Sequence, residues 1–178
     1  MVFGIIIGVV IVILLVIIIA RTVAFKPHEN VKADDRKVEV DRDKVVNNLC
    51  ELVKCKTVSY RDSSLEDDRE FRKLIDMLPE MYPAVFKKCE FNELPDRALL
   101  FKWTGKKHDE AAVMMAHYDV VPVNEEDWEN PPFDAIIEND VIWGRGTLDT
   151  KVTFNAVLSA AENLISKGFV PENDMYFA

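Results

Sequence analysis

A chain of 178 residues is long enough for one domain with its own hydrophobic core. Its 31 acidic residues outnumber its 22 basic ones, and the net charge of -9 argues against a nucleic-acid partner, which needs a basic face to meet phosphates. Apolar residues make up 49% and charged residues 30%, an ordinary globular balance once the apolar first twenty residues are set aside.

Residues from Val2 to Ala20 form an uninterrupted apolar run that includes Gly4 and Gly8. As a helix it spans about 28 Å, close to the thickness of a hydrocarbon core. Ile and Val favour strand in water, but in lipid the backbone must satisfy itself and helix prevails. Residues 1–21 are therefore read as a transmembrane anchor that meets the bilayer through residues 2–20. The alternative is a cleaved signal peptide, with a weak small-residue site at Thr22-Val23-Ala24, but the usual basic start is missing. Arg21 and Lys26 follow the run, so the positive-inside rule places the rest of the chain in the cytoplasm.

Residues 22–40 are polar, with Pro27 early, and read as a linker. The domain is expected over 41–178. Asp41 to Lys54 carries Val45, Val46, Leu49, Leu52 and Val53 at helical spacing, with Asp41 and Asp43 at the positive end of the helix dipole. Glu66 to Met81 repeats the pattern through Phe71, Leu74, Ile75 and Leu78, and Pro83 follows its end. Val85 to Phe91 and Ala98 to Trp103 then read as two adjacent strands, and Gly105 to Glu110 as a polar turn. Ala111 to His117 is nearly all apolar, the pattern of a strand buried on both faces.

Ala135 to Ile137 and Val141 to Trp143 flank Asn139-Asp140, a hairpin signal. Thr150 to Lys167 is a helix stopped by Gly168, and Asp174 to Ala178 begins another strand. Helices alternating with buried strands give an α/β class. A core strand at the last residue reads as a piece of a longer protein. The odd cysteine count, Cys50, Cys55 and Cys89, excludes a fully paired set and reads as free, partly buried thiols. That usage mildly favours a reducing compartment.

Two segments carry chemistry: Ala116-His117-Tyr118-Asp119-Val120-Val121-Pro122, and Trp143-Gly144-Arg145-Gly146-Thr147-Leu148-Asp149-Thr150-Lys151. His117 ends an apolar strand, and strand ends are where open α/β sheets bind ligands. Residues two apart in a strand share a side, so Asp119 can reach one imidazole nitrogen and leave the other free for a metal. For the motif alone, a histidine that hydrogen-bonds locally is the simpler account. Gly144 and Gly146 permit a tight turn, and Asp149 sits at a helix start, where an N-cap is the plain reading. The spacings of a phosphate-binding loop and of a dinucleotide fingerprint are both absent. Taken together, one imidazole and one carboxylate form a donor set that catalytic zinc accepts.

The run AHYDVVPV, then Trp128, then Pro131-Pro132-Phe133, then WGRGTLDTK resembles the M20 metallopeptidase pattern in order, spacing and flanking residues. Within it the chain is most similar to the carboxypeptidase S and N-acyl-amino-acid hydrolase branch, from about Val45 onward. The resemblance implies a partial zinc-exopeptidase-like catalytic domain, with a mixed sheet flanked by helices and two zinc ions in the complete site. His117 would bind one metal, Asp149 would bridge both, and Asp119 would be the catalytic-site aspartate that orients His117. It also implies a cis peptide after Asp149.

Many members have Gly after the lysine that is Lys151 here, where this chain has Val152. The family's general base, a Glu in a Glu-Glu pair, follows the strand begun at Asp174, and a further acidic ligand and a final His come later. Implied substrates are small peptides or N-acyl amino acids, and an inserted lid domain often makes the homodimer. Anchored members mostly face the lumen or exterior, against the charge rule, so the membrane side stays open. His28 and His108 read as solvent-exposed. Two other readings stand beside this one: a truncated, non-catalytic anchored binding protein, and a different enzyme class on the same fold.

Overall fold

The computed structural model describes residues 2–26 and 38–178, and divides into units at 1–38 and 39–178. In the first unit Val2–Ala24 is one helix, α1, with mean hydropathy 3.7 and no buried residue. It runs three residues past the expected end of the anchor, and within the added stretch the Thr22 hydroxyl donates to the Ile18 carbonyl (2.8 Å). The first three residues of the expected linker are therefore helical. Its centre, with Pro27 and His28, lies outside the described residues.

The second unit opens with α2 (Arg42–Val53), whose N-cap Asp41 accepts a hydrogen bond from the Lys44 amide (3.0 Å). Then α3 (Asp68–Met81), capped by Asp67, buries Phe71, Leu74, Ile75 and Leu78 along one stripe. The next segment departs from the expected strand. Residues Pro83–Lys88 form a short helix, α4, and only β1 (Glu90–Glu93) is extended. Pro83 begins this helix at a position that lacks a free amide anyway. The Ala84 and Val85 amides donate to the Glu162 carboxylate (3.1 and 2.9 Å), so a distant side chain supplies the missing cap.

β1 pairs antiparallel with β2 (Leu99–Trp103). The supposed turn at Gly105 to Glu110 is instead largely strand, since β3 covers Lys107–Met114. A hairpin of β4 (Ile136–Glu138) and β5 (Val141–Trp143) follows, with Asn139 and Asp140 at φ 52° and 61°, as a primed two-residue turn requires. Then come α5 (Lys151–Ser166) and β6 (Asn173–Phe177). The main sheet has the order β1-β2-β6-β3, with β6 antiparallel to β2 and parallel to β3, so it is mixed.

β3 is not buried on both faces. Every residue of it is exposed, and Val113 keeps 59% of its surface. Its apolar composition fits burial, but it occupies the open edge of the sheet and the helices pack elsewhere. The core lies between α2, α3, α4, α5 and the central strands, around Leu52, Leu78, Tyr82, Phe101, Trp103 and Leu158. All three cysteines are buried and free.

Where the β2–β3 turn crosses the start of β6, Gly105 leaves no room for a side chain. A Cβ there would lie 2.4 Å from both the carbonyl carbon and oxygen of Asn173, backbone atoms that cannot rotate away. Gly105→Ala is therefore expected to cost at least about 2 kcal/mol, the scale of overpacking a tight contact. Chemical denaturation of the variant beside the parent measures it.

Candidate active site

Past the end of β3 at Met114 the Ala116 amide still donates to the Ala178 carbonyl (3.0 Å), and His117 sits three residues beyond the strand end. Asp149 and Thr150 are joined by a cis peptide, as the resemblance implied. The N-cap of α5 is Thr150, not Asp149, which corrects the plain reading of that carboxylate as a cap. The Thr150 hydroxyl instead faces the other motif. It accepts from the His117 amide (3.2 Å) and donates to the His117 carbonyl (3.0 Å).

That tie brings the three candidate side chains together. His117 Nε2 lies 3.2 Å from Asp149 Oδ1, while His117 Nδ1 lies 3.1 Å from Asp119 Oδ1 and 3.0 Å from the Asp119 carbonyl. Asp119 and Asp149 thus take opposite nitrogens of one ring. The three side chains stay open to solvent, at 52%, 43% and 83% exposure for His117, Asp119 and Asp149. Partial burial alone lowers the imidazole pKa, but the Asp119 carbonyl and the two carboxylates outweigh it and hold the ring above its ordinary 6.5. A cavity of 440 Å³ opens beside His117 and Asp119, with Phe71, Leu94 and Met115 among its walls.

Zinc fits this pair. Two donors at zinc-nitrogen and zinc-oxygen distances, at a tetrahedral angle, stand about 3.3 Å apart. The observed separation is 3.2 Å. The Nδ1 contact to Asp119 is of the kind that, in metal sites, fixes a ligating ring. Asp119 and Asp149 stand on opposite sides of the ring, and among the described residues no group of three or more His, Cys, Asp or Glu side chains is placed to hold a metal ion by itself.

The residues between the motifs hold the turn. The Arg145 amide donates to the Pro132 carbonyl (2.7 Å), and its guanidinium lies 5.2 Å over the Trp128 ring. Gly146, at φ 90°, leaves space that a Cβ would deny to Val120 (2.8 Å), so the two motifs pack directly on each other.

Residues 113–178 match the sequence profile of Peptidase family M20/M25/M40. Residues 113–178 thus carry the M20 family's sequence pattern. The chain is 35% identical over 138 residues to probable carboxypeptidase S-like 2 of Dictyostelium discoideum, covering 75% of this chain and 27% of that protein. It is 31% identical over 141 residues to N-fatty-acyl-amino acid synthase/hydrolase PM20D1 of Xenopus tropicalis, covering 78% and 27%. The fold is shared with an M20 family metallo-carboxypeptidase, Sso-CP2, from Sulfolobus solfataricus, at TM-score 0.57 and 24% identity over 75% of this chain and 30% of that one. The chain therefore spans about a quarter of the length of these M20 relatives.

Two polar residues of the region escaped sequence reasoning. Lys151 is fully buried, and burial pushes its ammonium down to about 8. Thr57 is also fully buried and hydrogen-bonds into the first motif. Neither stood out, because their partners are backbone carbonyls far away in sequence. His108, expected as an exposed turn residue, lies in β3 and contacts Asp174 Oδ1 through Nδ1 (2.9 Å), though most of its ring is exposed.

Proposed function

We propose that the full-length protein is a membrane-anchored, zinc-dependent hydrolase cleaving amide bonds of small peptides or N-acyl amino acids. The observation that carries this reading is the His117–Asp149 pair at 3.2 Å, with Asp119 on the opposite ring nitrogen. His117 would hold a metal through Nε2, Asp149 would hold it through its carboxylate, and Asp119 would orient the ring. Bound zinc supplies a polarised carbonyl and a water acidic enough to attack at neutral pH. The open face of the pair leaves a substrate room to approach. The substrate class is supported by the relatives' names, carboxypeptidase S-like and N-fatty-acyl-amino acid synthase/hydrolase.

The same proposal assigns residues 1–21 to the anchor, 22–40 to the linker and 41–178 to the N-terminal part of the catalytic domain. Two zinc ions per site and a homodimer through a lid domain rest on the family resemblance. The length and apolarity of α1 support the anchor; a signal sequence has the same character.

Zinc titration and hydrolysis assays on the full-length protein test the reading, with His117→Ala as the comparison. Loss of both zinc and turnover in the variant is expected, and retained turnover would refute the assignment. The raised imidazole pKa adds a sign. Protons compete with metal for Nε2, and they begin to do so above 6.5. Zinc affinity is expected to fall as the pH is lowered through the raised imidazole pKa and below it, read by chelator competition.

A further inference from the structure

The donors themselves are open to solvent, so packing around them does not fix their separation. What is fixed is the backbone beneath, and one segment, in which Leu52, Cys55 and Thr57 are buried, is bonded to both halves of it. On one side the Thr57 hydroxyl donates to the Tyr118 carbonyl (2.6 Å), between His117 and Asp119. The Val120 amide donates to the Thr57 carbonyl (2.8 Å), and the Ser59 amide to the Val120 carbonyl (2.9 Å). On the other side the Lys151 ammonium, two residues after Asp149, donates to the carbonyls of Leu52 (2.8 Å) and Cys55 (2.7 Å). Those carbonyls end α2, where a helix dipole favours a cation. Thr57 and Lys151 have no exposed surface.

We propose that residues 52–59 act as a clamp, with Thr57 and Lys151 as positioning residues that set the separation of His117 from Asp149. The inference rests on the reading of that pair as metal ligands. The Thr150 hydroxyl links the two motifs directly but from an exposed position, whereas the clamp fixes them from inside the core. Loss of the Thr57 hydroxyl frees the Tyr118 carbonyl, and loss of the Lys151 ammonium frees the ends of α2 from the start of α5. Either change lets the pair drift, and outer partners of metal ligands are worth about 10–100-fold in metal affinity.

The test measures zinc affinity by chelator competition in the full-length protein for Thr57→Val, Thr57→Ser, Lys151→Met and His117→Ala, with thermal unfolding of the metal-free forms alongside. Thr57→Val is expected to weaken zinc binding about tenfold or more, and Thr57→Ser to restore it. Zinc affinity within about twofold of the parent in Thr57→Val, whatever its unfolding midpoint, would overturn the clamp. Should Lys151→Met fail to fold, Thr57→Val decides alone, because it exchanges one hydroxyl for a methyl. If His117→Ala binds zinc as well as the parent, the ligand reading itself fails, and the clamp with it.

Discussion

Replacing Asp149 by alanine in the full-length protein is expected to abolish hydrolysis. Asp149 is the carboxylate facing His117 Nε2 at 3.2 Å, with most of its surface exposed. Its removal takes away the proposed bridge, and a metal that stabilises transition-state charge contributes several kcal/mol. A loss of about 4 kcal/mol corresponds to roughly a thousandfold in kcat. Asp149→Asn separates the contributions, since it keeps the shape and removes the charge. Metal content measured beside kcat checks the cause. A variant with full activity and two bound zinc ions would contradict the assignment.

The largest expected effect on stability falls at Trp103, in the central strand β2. Its side chain is 1% exposed and packs against Phe169 and Phe177, with ring centroids at 6.0 and 6.5 Å. Trp103→Ala leaves a cavity the size of an indole, at a cost of about 3–5 kcal/mol. The indole Nε1 is buried with no hydrogen-bond partner among the described residues. Trp103→Phe therefore forfeits no hydrogen bond and is expected to cost less than half as much, roughly 1–2 kcal/mol. Urea denaturation of both variants gives the two values. Equal losses would mean that the indole nitrogen is bonded after all.

Much of this architecture was legible because local rules and tertiary packing agree. α2, α3 and α5 announce themselves by helical spacing, and Asn139-Asp140 marks the hairpin. The errors come where a local signal had two physical meanings. Pro83 does follow the end of α3, but the same ring that blocks a helix interior suits a helix start, so the residues after it are not the expected strand. With the Glu162 carboxylate supplying the cap from α5, Val85 and Phe86 became helix. The apolar run through Val113 signals burial, and nothing local says that the strand lies at an edge.

For the site, the motif pair was readable because its chemistry sits in side chains at fixed spacing. Lys151 was visible in the second motif, but its partners, the carbonyls of Leu52 and Cys55, carry no sequence signature. Thr57 is silent for the same reason.

The position of β6 between β2 and β3 carries a consequence for how the chain matures on the ribosome. β2 and β3 are consecutive in the chain but not neighbours in the sheet, and the strand that joins them is about sixty residues further on. As the chain emerges, the α2 and α3 region can collapse with the β1–β2 pair at once. β3 and the His117 segment behind it must wait for residues 173–177 before they dock, since a parallel partner cannot be made locally. Until then an apolar strand with unpaired amides stands open, the state most prone to join a neighbouring nascent chain. The proposed His117–Asp149 pair is thus assembled late, after the helices around it are in place.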